Sequence, residues 1–142
     1  MPDSSARTKN EVDLATTLAF TSRRVSAKMG RAISDEGLAF EQWSVLDFLA
    51  RSESSVTMSE IARALGLSGP SLTRAADKLV TTALIFREVH PEDRRRVLVY
   101  MSKHGREVHS RLRPRLEAIE REILDGVSGV KEFLETLGRL AR

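Results

Sequence analysis

"TMSEIARALGLSGPSLTRAADKLVTTA", Thr57 to Ala83, is the stretch that decides the fold. Thr57 followed three residues on by Glu60 is a capping box, in which each residue's side chain satisfies a backbone donor that the first helical turn leaves orphaned. A short helix then runs to Leu65, and Gly66 supplies a left-handed stop. Ser68 is the N-cap of the next helix, and Pro70 is tolerated in its first turn because no intrahelical N–H is needed there. Two short helices joined by a glycine turn make a helix-turn-helix, whose second helix is free to enter a major groove. At about 100° per residue, Leu72, Ala75, Ala76, Leu79, Val80 and Ala83 share one arc of that helix, and Pro70, Ser71, Thr73, Arg74, Asp77 and Lys78 share the other. Short side chains on the outer arc let the backbone approach DNA closely. Arg74 can reach a guanine edge or a phosphate, and Lys78 suits a phosphate. An ordinary surface helix with two cations has the same pattern, so this face needs a second signal.

The second signal lies immediately downstream. "LIFREV", Leu84 to Val89, and "VLVYM", Val97 to Met101, are rich in β-branched and aromatic residues and flank the seven residues "HPEDRRR", His90 to Arg96. They read as a hairpin whose tip lies beside the second helix, where an arginine can enter the adjacent minor groove. Asp93 is placed to brace an arginine rather than to face DNA.

Outward from this pair, apolar residues recur at helical spacing on both sides. Leu14, Leu18, Val25, Met29 and Ile33 form one stripe of a long helix from Glu11 to about Ser34, with Gly37 as a stop. "FEQWSVLDFLAR" follows, with Trp43, Leu46 and Leu49 pointing inward. Phe20 lies off the first stripe, where it serves packing, a cavity or a subunit contact. After the hairpin, Val108, Leu112, Leu116, Ile119 and Ile123 mark a long helix, and "GVSGV" separates it from a shorter one carrying Val130, Phe133, Leu134, Leu137 and Leu140. Pro114 inside the long helix predicts a kink near Ser110 or a break. The terminal helices carry more apolar surface than a helix-turn-helix core can cover, and a homodimer built from both ends of the chain buries it.

Composition narrows the function. The 142 residues are 41% hydrophobic and 30% charged, the range of one compact domain. The N-terminus lacks the apolar core of a signal peptide, and no run approaches the roughly 18 residues of a membrane span, which predicts a cytoplasmic protein. With no cysteine, thiol chemistry is excluded; with three histidines, of which His104 and His109 point different ways on one helix, no metal site is expected. No nucleophile–base pair, glycine-rich phosphate loop or paired carboxylates stand on a recognisable scaffold, so neither an enzyme nor a cofactor is expected. Net charge is only +3, but residues 84–115 hold nine Lys/Arg against four Asp/Glu. A concentrated basic block is the footprint of a polyanion partner, although a solvated surface can carry one too.

In this order the parts resemble the MarR family of winged-helix transcriptional regulators, over roughly residues 11–140. "GLAFEQWSVLDFLA" is similar to the family's lead into its DNA-binding lobe, and "MSEIARALGLSGPSLTRAADKL" to its helix-turn-helix. The most specific likeness is Asp93-x-Arg95 followed after five residues by Met101, Ser102 and Gly105, where the family pattern has Leu, Thr and Gly. A departure occurs at Ala83, where the family usually has glycine; alanine tolerates positive φ poorly, so the turn into the wing is either strained or built differently.

The resemblance implies a mainly helical fold with a small β-hairpin. A flexible tail over 1–10 precedes a single domain over 11–142, with a winged helix-turn-helix at about 41–102 and dimerisation helices at about 11–35 and 103–142. It implies a homodimeric repressor on a pseudo-palindromic operator of double-stranded DNA, with half-sites roughly 10 base pairs apart. Ser68, Ser71, Thr73, Arg74 and Lys78 match positions the family uses for DNA contacts. Arg95 is the minor-groove candidate, and Arg94 and Arg96 are backbone contacts. It also implies release by a small aromatic effector in a cleft between dimer helices and DNA-binding lobe, with Phe20, Arg24, Trp43 and Leu46 as lining candidates. A winged-helix protein-interaction module without DNA binding is the alternative; an arginine-rich wing together with a cationic helix face argues against it.

Overall fold

The computed structural model describes residues 13–142, so the expected tail over 1–10 lies outside the described residues. Six helices and three strands follow in the order α1 (Leu14–Ile33), α2 (Phe40–Arg51), β1 (Val56–Thr57), α3 (Met58–Leu65), α4 (Gly69–Thr81), β2 (Ile85–Val89), β3 (Val97–Met101), α5 (Lys103–Ile123) and α6 (Val130–Leu140). One buried cluster runs from Met29 to Leu116, and Val45, Leu46, Ile61, Leu72, Leu79 and Leu112 are fully enclosed in it. Each such side chain contributes about 1.5–3 kcal/mol relative to exposure.

The helix ends follow the local chemistry read from the sequence. The Thr57 hydroxyl accepts from the Glu60 N–H at 3.2 Å and the Glu60 carboxylate accepts from the Thr57 N–H at 2.7 Å, closing the capping box. Gly66 is left-handed at φ 64°, and the Ser68 hydroxyl accepts from the Ser71 N–H at 3.2 Å. On α4 the predicted inner arc is buried at Leu72, Ala75, Ala76 and Leu79. Ala83 does not belong to that arc; it lies beyond the helix, exposed, at φ 59°. Of the two readings of this turn, the strained one is found.

The predicted hairpin gains a third strand. β3 sits centrally, antiparallel to both neighbours, with Val97 to Met101 opposite Val89 to Ile85 on one side and Leu98 and Val99 opposite Thr57 and Val56 on the other. The expected break at Pro114 is also absent. α5 continues through it to Ile123, because the residue costs one hydrogen bond to the Ser110 carbonyl at an exposed position where water can take its place.

The long stripe on α1 is only half used within the chain. Met29 and Ile33 are buried where α1 packs on α5, whereas Leu14, Leu18 and Phe20 are exposed. An ordinary packing role for Phe20 is thus not found in the single chain. α6 buries no residue at all and exposes Phe133, Leu134 and Leu140. No helix among the described residues is long and apolar enough to cross a membrane.

Candidate nucleic-acid interface

The outer face of α4 carries the residues expected there. Thr73, Arg74 and Lys78 are exposed and Ser71 is half-buried. The Ser68 hydroxyl is engaged as helix cap, and Arg74 donates to the Ser71 hydroxyl at 3.3 Å, which steadies a guanidinium that has no carboxylate partner among the described residues. Lys78 is likewise outside every ion pair described. Asp77, the acid between them, is neutralised from the wing: Arg87 on β2 reaches its carboxylate at 2.7 Å. That contact also ties the base of the wing to the polar side of α4.

The wing tip is a compact turn. His90 donates its N–H to the Arg96 carbonyl at 2.8 Å, and Arg96 donates its own to the Asp93 carbonyl at 3.0 Å. The Asp93 carboxylate accepts the Arg95 N–H at 3.1 Å and lies 3.6 Å from the Arg95 guanidinium, the bracing role expected of it. All three arginines are exposed, and the Arg95 side chain retains 94% of its accessible surface. Farther along, Tyr100 donates to Glu88 at 2.6 Å and stacks on Phe86 at 5.0 Å; the carboxylate bond holds the phenol above its ordinary pKa.

The wing is joined to the rest of the lobe by the segment that carries the sequence signature. The Ser102 hydroxyl accepts from the Gly105 N–H at 2.9 Å, capping α5, and lies 2.6 Å from the Ala83 carbonyl to which it donates. A Cβ on Gly105 would overlap the Leu84 carbonyl oxygen, so α5 can start this close to the β2 turn only with glycine there.

Not all of the basic block is unpaired. Arg111 pairs with Glu36, Arg115 with Asp35 at 2.8 Å, and Arg113 with Glu117 at 2.7 Å. These cations hold the α1–α2 corner and the surface of α5, which leaves Arg94, Arg96, Lys103 and Arg106 as the part of the block outside every ion pair among the described residues, with Arg95 paired only to its neighbour Asp93. The sequence did not reveal the pairings of Arg111 and Arg115, because their acids lie 75 and 80 residues away.

A cleft of about 720 Å³ opens between α1, α2, α5 and α6. Phe40, Trp43, Phe48, Phe133 and Leu134 supply much of its wall, and Asp47, Arg51, Arg113, Glu117 and Glu120 its charged margin. Of the four residues named as lining candidates, only Trp43 is there. Leu46 is wholly enclosed in the core behind it, and Phe20 and Arg24 lie on the exposed side of α1, with the guanidinium 5.8 Å from the Phe20 ring centre. The pattern of apolar residues on α1 was a guide to its packing stripe, not to which side of that stripe a cleft would open.

Behind Trp43 stands a histidine for which the sequence suggested no metal site and no other role. His109 on α5 is buried, stacks parallel on the Trp43 indole at 4.8 Å, and its Nε2 lies 2.8 Å from Asp47. Among the described residues no three potential ligand side chains gather to hold a metal.

Comparisons with known proteins agree with this geometry. Residues 36–96 match the family described as "MarR family". The transcriptional activatory protein BadR of Rhodopseudomonas palustris is 31% identical over 115 residues, which are 79% of this chain; the chain spans 65% of BadR's length. A MarR-family regulator from Rhodococcus sp. RHA1 superposes with a TM-score of 0.82 at 23% identity, covering 91% of this chain and 92% of that one. CouR from Rhodococcus jostii RHA1, solved with p-coumaroyl-CoA, superposes at 0.81 with 21% identity and 91% of each chain covered. With its helix-turn-helix, three-stranded wing and packed terminal helices, the chain belongs to the MarR family of winged-helix transcriptional regulators, a family of regulators rather than enzymes.

Proposed function

We propose that the chain is a homodimeric, sequence-specific DNA-binding repressor that places α4 of each protomer in a major groove of a pseudo-palindromic operator and its wing in the flanking minor groove. The observation that carries this reading is the pairing of two unneutralised cations on α4, Arg74 and Lys78, with the exposed arginine tip of the wing. Arg95 is the minor-groove residue; Arg94 and Arg96 contact phosphates; Ser68, Ser71 and Thr73 lie where the helix backbone meets the duplex. A gel shift on the DNA upstream of its own coding region tests this. Affinity should fall steeply with salt, and Arg95→Ala should weaken binding by about 1–3 kcal/mol without changing the oligomeric state. Affinity independent of salt, or no effect of Arg95→Ala, would end the reading.

The sign of regulation and the effector belong to the same proposal. BadR is named as an activatory protein, so a reporter behind the operator decides between the two directions. Expression should rise when the gene is deleted. CouR, in its solved structure, carries p-coumaroyl-CoA, and the cleft beside Trp43 is of a size to take a small aromatic effector in this chain. Such a molecule, wedged between the dimer helices and the DNA-binding lobe, would move the two lobes out of register with successive grooves.

A further inference from the structure

We infer that the cleft takes lipophilic organic cations rather than carboxylates. This rests on the reading of the cleft as an effector site and names the class of effector. The rings of Phe40, Trp43, Phe48 and Phe133 line the cavity, and a ring face attracts a cation and repels an anion. Its charged margin has three acids, Asp47, Glu117 and Glu120, against two cations, Arg51 and Arg113.

Both cations are already paired, each through its Nε. Arg51 donates to Asp47 at 2.9 Å and Arg113 to Glu117 at 2.7 Å. The second oxygen of Asp47 is held by His109. Glu120 alone has no ion pair among the described residues. An entering molecule therefore meets one surplus negative charge, aromatic rings and two guanidiniums that each already have an acid beside them. A carboxylate reaching the remaining N–H groups of either guanidinium would come up against Asp47, Glu117 and the unpaired Glu120, whereas a delocalised cation is attracted by all three. The CouR ligand is an anion, and at 21% identity the shared fold does not carry its ligand over.

Trp43 is the only tryptophan of the chain, so its fluorescence reports occupancy without a label. Tetraphenylphosphonium and tetraphenylborate, matched in size and opposite in charge, are titrated against the full-length protein. The cation should bind about tenfold tighter or more. Glu120→Gln, checked for an unchanged melting temperature, should weaken the cation several-fold and leave the borate unchanged or tighter. Equal or tighter binding of the borate overturns the inference while leaving an effector cleft standing. If neither ion perturbs Trp43 or gives heat on titration, the effector cleft falls with it. Operator release is scored separately in the gel shift: cation binding without release keeps the inference and ends the effector half of the proposed function.

Discussion

Single residues decide how the wing is attached. At Ala83 the chain adopts φ 59°, a conformation that costs a residue with a Cβ on the order of 1 kcal/mol more than glycine. Ser102 holds the strained turn by donating to the Ala83 carbonyl. Ala83→Gly should therefore stabilise the protein by about 1 kcal/mol, seen as a rise of a few degrees in thermal midpoint, with operator affinity unchanged. Glu60 is the second such residue. Its bonds to Thr57 hold its carboxyl below the ordinary value of 4.5, so its contribution is present above that pH and is lost as pH falls through the lower folded value. The difference in stability between the native chain and Glu60→Gln, measured by denaturant titration at successive pH values, should change only on the acid side of about pH 5. The Glu60 box was legible in advance, since capping is local chemistry; Ala83 was placed on the inner arc of α4, and its strained turn was only one of two readings. The pairing of His109 with Asp47 was not legible, because 62 residues separate partners that only the packing of α5 on α2 brings together.

At the scale of elements, α4 and the wing divide their work. The neutralisation of Asp77 by Arg87 leaves Lys78 as a bare positive charge near the end of the helix, suited to a phosphate. Lys78→Ala should weaken binding to operator and unrelated DNA about equally and lower the salt slope by about one, whereas a selective loss on the operator would make it a base-reading residue. Periodicity exposed α1, α2, α4 and α5, each of which buries one face against the core, and α6, whose apolar face stays exposed in the single chain. β1 escaped it: a strand of two residues carries no alternation, and only its pairing with β3 defines it. The helix through Pro114 misled in the other direction, since sequence registers the lost hydrogen bond but not the exposed setting that makes the loss tolerable.

At the scale of the whole molecule, the exposed apolar ends of the chain are the outstanding feature. Leu14 and Leu18 on α1 and Phe133, Leu134 and Leu140 on α6 form surface that a soluble monomer rarely leaves uncovered. In the proposed dimer these helices cover one another, and Leu14→Asp together with Leu140→Asp should give a monomer by sedimentation, with operator affinity falling far more than unrelated-DNA affinity. The surplus of apolar residues at both termini was visible in the sequence; a cleft beside Trp43 was expected from the family resemblance, but the rest of its lining was not legible, because its shape depends on how far α6 stands from α2. The contact of Gly105 with the Leu84 backbone has a further consequence at this scale. With α5 seated directly on the turn between α4 and β2, helix, finger and strut are joined backbone to backbone. In the proposed dimer an effector would then act like the screw of a pair of callipers, setting the gap between two jaws rather than reshaping either.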